Sequence, residues 1–192
     1  MAGKALALAS LAALALSSGA LAAEELVKPQ QLMVDSSLPK AVADAAVLAA
    51  RRYDTFWATG DKTLALKTLA PDFMDRTLPP HRAQGIAGPL AASQGFRQAV
   101  PDLNCTVEQM LVVADRVVAH LHFTGHFSGQ FNGVQGKGQA IDFIATDIYR
   151  VADGVIKENW HIEDNLTLLT QMEVVKWCKA PLMRGFFIAG TA

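Results

Sequence analysis

The chain is poor in cysteine: Cys105 and Cys178 are the only two in 192 residues. That excludes a disulfide framework and a cysteine-rich zinc module, and leaves a Cys105–Cys178 bridge or a buried free thiol at Cys105 as the open alternatives. Excess basic charge is also missing. With 17 Lys and Arg against 18 Asp and Glu, the formal charge is −1, so no positive field exists to neutralise a phosphate backbone, which argues against a nucleic-acid partner. There is no G-x-S-x-G elbow, no H-E-x-x-H and no strand-to-helix phosphate loop. The glycines of GQFNGVQGKG, residues 129–138, lie between strand-like runs and serve turns. After the first 22 residues no apolar run is long enough to cross a bilayer as a helix.

What is present begins with MAGKALALASLAALALSSGALA, which joins a short n-region carrying Lys4 to an Ala- and Leu-rich core and the small pair Ala20 and Ala22. This is the pattern of an export signal cleaved after Ala22, and it places the mature protein in the periplasm or outside the cell. Ser10, Ser17, Ser18 and Gly19 interrupt the core and argue against the rival reading, a membrane anchor. Residues 23–40 lack a period and read as a leader. Residues 41–173 read as one domain. Residues 174–192 form an apolar tail whose Phe186, Phe187 and Ile188 need cover from the domain or from another subunit.

From Ala41 onward, Val42, Ala45, Ala46, Leu48, Ala49, Tyr53, Phe56 and Trp57 recur at helical spacing with Arg51, Arg52 and Asp54 between them. The pattern predicts a long amphipathic helix ending near Gly60. Asp61 is placed to cap a short second helix over 63–69, and Pro89 to start a third helix that runs to Val100. Four strands follow, over 103–113, 116–128, 137–151 and 155–164, joined as successive hairpins. Helices first and strands afterwards predict an α+β layer, with the helices across one face of a curved antiparallel sheet.

Alternation assigns the faces. Ile141, Phe143, Ala145, Asp147, Tyr149 and Val151 make an apolar face with one acid in it, and a two-residue turn at Asp153-Gly154 sets Asp147 opposite Trp160. In that register Trp160 and Asp164 point inward, His161 and Glu163 outward, and the two aspartates stand about 13 Å apart. A carboxyl on an apolar surface has its pKa raised and becomes available for proton transfer. Asp164 reads equally as the N-cap of a helix beginning at Asn165, and Asp147 as a buried carboxylate that ties strands together. His120, His122 and His126 share one strand face. Zinc is one reading of them and a polar or subunit-facing surface another, because an extended strand separates His122 from His126 by about 13 Å.

The element order, together with Pro101-Asp102-Leu103, Asp115-Arg116-Val117, Gly129-x-Phe131-x-Gly133, Arg150-x-x-Asp153-Gly154 and Trp160-x-x-x-Asp164, resembles the SnoaL-like polyketide cyclase or ester cyclase family within the nuclear-transport-factor-2-like fold. The resemblance implies a cone-shaped α+β barrel around a cavity, usually a homodimer. It also implies cyclisation by intramolecular aldol condensation without metal or organic cofactor. The family's acid/base aspartate matches Asp164, and a histidine is common in relatives where Asp147 stands. The implied substrate is a small hydrophobic carbonyl compound, held by Trp160, Tyr149, Phe143, Phe73 and His122. Three functions follow as alternatives: a cofactor-independent cyclase, isomerase or lyase using Asp164; an exported protein that binds a small molecule without catalysis; and metal-assisted hydrolysis at the three histidines.

Overall fold

The computed structural model describes residues 24–175. The tail with Phe186, Phe187 and Ile188, the candidate partner thiol Cys178 and the export signal lie outside the described residues, and Cys105 is buried, with no disulfide partner among the described residues.

Helix α1 (Lys40–Thr59) buries Ala46, Ala49, Tyr53 and Phe56 of the predicted apolar set, with Ala50 beside them, while Val42 and Leu48 of that set are exposed. It ends on Gly60, whose left-handed conformation (φ 78°) lets its N–H reach the Phe56 carbonyl at 2.7 Å. Helix α2 (Lys62–Thr68) is capped by Asp61, which accepts from the Thr63 N–H at 2.9 Å. Helix α3 (Ala87–Ala99) carries Pro89 in its first turn. The four long strands also form: β3 (Asn104–Val113), β4 (Arg116–Phe127), β7 (Gln139–Ala152) and β8 (Val155–Glu163). A small hairpin, β5 (Gln130–Phe131) and β6 (Val134–Gln135), occupies the glycine-rich connection, and α4 (Asn165–Gln171) follows β8.

The sheet corrects the expectation of a wholly antiparallel arrangement. Two further strands, β1 (Gln31–Val34) and β2 (Leu69–Asp75), give the order β1-β3-β4-β7-β8-β2. The central meander is antiparallel, while β1 pairs parallel with β3 and β2 parallel with β8. The leader is therefore built into the domain. Leu26 is buried, Arg51 donates to the carbonyls of Leu26 and Val27 at 2.9 and 2.7 Å, and Glu24 pairs with Arg52 and Lys67. A single core fills the space between the helices and one sheet face, with Phe143 stacked on Phe123 at 5.1 Å and set edge-on to Phe96 at 6.0 Å.

The register of β7 and β8 is the second correction. The turn forms as expected, with Asp153 and Gly154 both at positive φ and Ala152 opposite Val155. Ile156 then pairs with Val151 and Glu158 with Arg150, leaving Lys157 as an extra residue in a β-bulge. Beyond it every β8 side chain has changed face: Asp147 lies opposite His161, Ile148 opposite Trp160, and Ala145 opposite Glu163. Asn159, His161 and Glu163 point toward the core. Trp160 faces out beneath the Arg116 guanidinium, 5.4 Å from its ring, and Ile162 is 76% exposed. The bulge supplies what the expected register does not, a hydrogen-bonding partner for the buried Asp147.

Candidate functional site

At the far end of that bulged pair, β7, β8 and β2 bring five polar side chains under the helix layer: Asp147, Asn159, His161, Glu163 and Asp75. Asp147 is 6% exposed and accepts a 2.7 Å hydrogen bond from the Asn159 amide. The His161 ring lies 3.4 Å from Asp75 through Nε2 and 3.6 Å from Glu163 through Nδ1. Neither contact is a hydrogen bond; Nε2 is buried without a partner, as is Oδ1 of Asn159. Arg82 reaches Asp75 at 4.0 Å. The connection 76–86 closes over this group: Gln84 clasps the backbone of Asp75 through both ends of its amide, and Thr77 Oγ1 accepts the His161 N–H at 2.9 Å.

Electrostatics single out the same residues. Burial, opposed by Asn159 and His161, lifts Asp147 from 3.8 to about 7. The Glu163 carboxylate, against burial and aided by Asp147 and Asp75, raises the His161 imidazole above its ordinary value. Burial would raise Glu163 too, but the His161 ring outweighs it and leaves that carboxyl low. A carboxyl that titrates near neutrality beside a readily protonated imidazole is suited to moving protons to and from carbon or oxygen. Next to Tyr53 on α1, Asp54 is completely buried and accepts from the Tyr149 hydroxyl at 2.7 Å, and desolvation drives its pKa well up. Asp54 thus anchors Tyr149 in the core.

The residues singled out from sequence are dispersed by this geometry. Asp147 is at the centre. Tyr149 is fully buried and structural by its contacts, and Phe143 and Phe73 are core side chains at 4% and 3% exposure. Trp160 and His122 lie on the opposite face of the sheet, His122 against Asp142 at 2.7 Å and Glu108 at 3.3 Å. Asp164 is exposed and caps α4: its two oxygens take the Thr167 N–H at 3.0 Å and the Thr167 hydroxyl at 2.7 Å, which hold its pKa low. The inward placement expected of Trp160 and Asp164 is therefore overturned by the bulge. His126 pairs with Asp102 instead of joining His120 and His122, and no group of three or more metal-binding side chains converges among the described residues. Sequence reasoning misses Asn159, His161 and Glu163 because the alternation of β8 offers Ile156, Trp160 and Ile162 as the apolar, inward set, and misses Asp75 because it lies on β2, an edge strand the local pattern does not predict. The available signal was the need of Asp147 itself: a buried acid predicts polar neighbours across the ladder. Two clefts lie elsewhere, one of about 480 Å³ between β1 and α1 and one of about 270 Å³ between α1 and α3; neither is lined by Asp147, Asn159, His161 or Glu163.

The family model described as SnoaL-like polyketide cyclase matches residues 47–172. Among solved structures, a candidate polyketide cyclase from Bacillus cereus ATCC 10987 is 42% identical, with a TM-score of 0.73 over 80% of this chain and 97% of that chain. TsrD from Streptomyces laurentii is 25% identical at a TM-score of 0.62, covering 72% of this chain and 99% of that one. IdmH from Streptomyces antibioticus, a candidate polyketide cyclase, is 26% identical at 0.59, covering 69% and 98%. No curated protein matches the chain.

Proposed function

Because the chain belongs to the SnoaL-like polyketide cyclase family, we propose that it is an acid/base enzyme acting on a small hydrophobic carbonyl compound, with Asp147 and His161 at the reacting atoms. The observation that carries this reading is Asp147, a buried carboxyl with its pKa lifted to about 7 beside the raised imidazole of His161. As the carboxylate, Asp147 takes the proton from a carbon next to a carbonyl, and the electrons of the broken C–H bond form the enolate. His161 N–H donates to the enolate oxygen. The enolate carbon then bonds to a second carbonyl of the same molecule, and the alkoxide so formed takes up the proton held by Asp147. Proton return to a different carbon would make the same groups an isomerase, and the reverse of the bond-forming step would make them a lyase. No cofactor enters any of these steps.

Substrate entry into the cavity expected of the family requires the 76–86 connection to move, since Thr77, Arg82 and Gln84 hold it across the group. The outer sheet face is the reading's homodimer surface. Across it Leu111, Val118, Ile148 and Trp160 stand side by side in the ladder and Ile162 beside them is 76% exposed, an apolar strip suited to pairing with another surface. Export, with cleavage after Ala22, rests on the N-terminal residues.

The test is proton exchange at the activated carbon of a β-dicarbonyl compound, and its cyclisation where a second carbonyl is within reach, measured with Asp147→Asn, Asp164→Asn and the parent protein. Asp147→Asn should lose about 10²–10⁴-fold of the rate, the range general-base catalysis supplies, while Asp164→Asn stays within about twofold. Equal rates in all three would remove the enzyme and leave the exported binding protein. Loss only in Asp164→Asn would return the chemistry to that residue.

A further inference from the structure

The smaller cleft, of about 270 Å³ between α1 and α3, has a composition that its position in the helix layer does not require. Its walls are the ring of Phe56 and the side chain of Leu90, and Lys62 stands at its exposed edge. Beneath it lie two buried polar atoms without hydrogen-bonding partners, Oγ of Ser93 and Nε of Arg97, one turn apart on α3. Ser93 is only 2% exposed. Arg97 uses the rest of its guanidinium on the carbonyls of Trp57 and Leu103, at 2.7 and 3.2 Å, and has no carboxylate within 4 Å among the described residues. Burial lowers its pKa, the sign of a cation poorly compensated by its surroundings. Gly60 makes the arrangement possible, because a Cβ there would stand 2.8 Å from Cδ and Nε of Arg97. The nearest acid in sequence, Asp61, spends its carboxylate on Thr63.

A guanidinium and a hydroxyl normally find acceptors when they are buried, and two donors left over one turn apart on α3, lining one cleft, mark a place for an anionic acceptor. We propose that this cleft is a binding site for a small organic carboxylate, separate from the Asp147 group: the carboxylate oxygens accept from Ser93 Oγ–H and Arg97 Nε–H, Lys62 adds charge at the edge, and the apolar body lies on Phe56 and Leu90. Gln94, which now shares a long 3.4 Å contact with Lys62, turns aside to admit it.

Benzoate is the probe, with benzyl alcohol as its uncharged counterpart and inorganic phosphate as an anion without an apolar body. Titrated into the purified protein and followed by nitrogen–proton NMR, benzoate should shift the amides of Gly60 and Ser93 and the Arg97 Nε–H saturably, and benzyl alcohol and phosphate should bind at least about fivefold more weakly. Arg97 supports two carbonyls and is left intact. Ser93→Ala removes a buried hydroxyl that has no partner, so the variant should be at least as stable as the parent while binding benzoate about fivefold more weakly; Lys62→Met should weaken it about threefold. The proposal is overturned if the shifts remain linear up to about 50 mM benzoate, if benzyl alcohol matches benzoate, or if Ser93→Ala binds as the parent does.

Discussion

The two faces of the β7–β8 pair carry opposite surprises. Toward the core stand Asp147, Asn159, His161 and Glu163; toward solvent stand Ile148, Trp160 and Ile162. A hairpin built only for stability has these sets the other way round, since buried charge costs free energy and exposed isoleucine recovers none. The bulge at Lys157 is what inverts the β8 members of both sets, while Asp147 and Ile148 keep the faces that β7 alternation gives them, and each face then has a use that stability alone does not supply: proton transfer on the inner one, association on the outer one in the proposed reading.

The comparison breaks most severely if the bulge is removed. Deleting Lys157 should force β8 beyond it to exchange faces, driving Trp160 against the core and leaving Asp147 without Asn159. The expected loss, read from urea denaturation, exceeds about 3 kcal/mol. A loss below about 1 kcal/mol would mean that the inversion does not depend on the bulge.

Next in size is the cost of the inner face itself. The Asp147 carboxyl holds its proton up to about 7 in the folded protein and releases it near 3.8 when unfolded. Between those values the unfolded chain binds fewer protons, so stability falls as pH rises from about 4 to 7 and is flat beyond. Asp147→Asn abolishes that fall. It should be more stable than the parent by about 2–4 kcal/mol at pH 8, with the gap closing toward pH 4 in denaturation curves taken across the range. A variant that gains stability while losing activity is the signature of a group kept for chemistry; a pH-independent difference would place the proton elsewhere.

Much of this architecture is legible in the sequence where the causes are local. The 3.6-residue period of α1, the Asp61 cap, the helix-start Pro89 and the Asp153-Gly154 turn are each written in neighbouring residues, and each forms. The parallel edge strands are not. Gln31–Val34 is four residues long, exposed throughout, and becomes a strand through β3, while Leu69–Asp75 contains Pro71 and is held by β8. Asp54 looks like one more polar residue of an amphipathic helix until its depth beneath Tyr149 is known. The site suffered most, because hydrophobic alternation assumes that the apolar side faces in, and here the chain departs from that assumption over Glu158–Glu163.

The outer face predicts a smaller effect. Ile162→Asp places a charge on a side chain already 76% exposed, so the folded monomer should change by no more than about 0.5 kcal/mol. Self-association measured by sedimentation equilibrium should weaken at least about tenfold if that face pairs two copies. Unchanged association would leave Trp160 and Ile162 as an apolar surface without this partner.

The smallest effect belongs to the acid nearest to both faces in sequence. Asp164 ends the bulged strand and begins α4, and its carboxylate is spent on Thr167 at 3.0 and 2.7 Å. Asp164→Ala therefore unties a helix of seven residues whose Leu168 packs in the core, and a lost cap of this kind should lower Tm by about 2–4 °C. Because those hydrogen bonds hold the carboxyl below 3.8, the cap's contribution is present above the unfolded value and is lost as pH falls through the lower folded one; the Tm difference should shrink on strong acidification. Thermal scans of Asp164→Ala and Asp164→Ser separate cap from catalyst: serine restores a capping oxygen but not a carboxylate. Recovery of Tm and full activity by Asp164→Ser assigns the residue to the helix, whereas recovered Tm without activity would bring it back to the site.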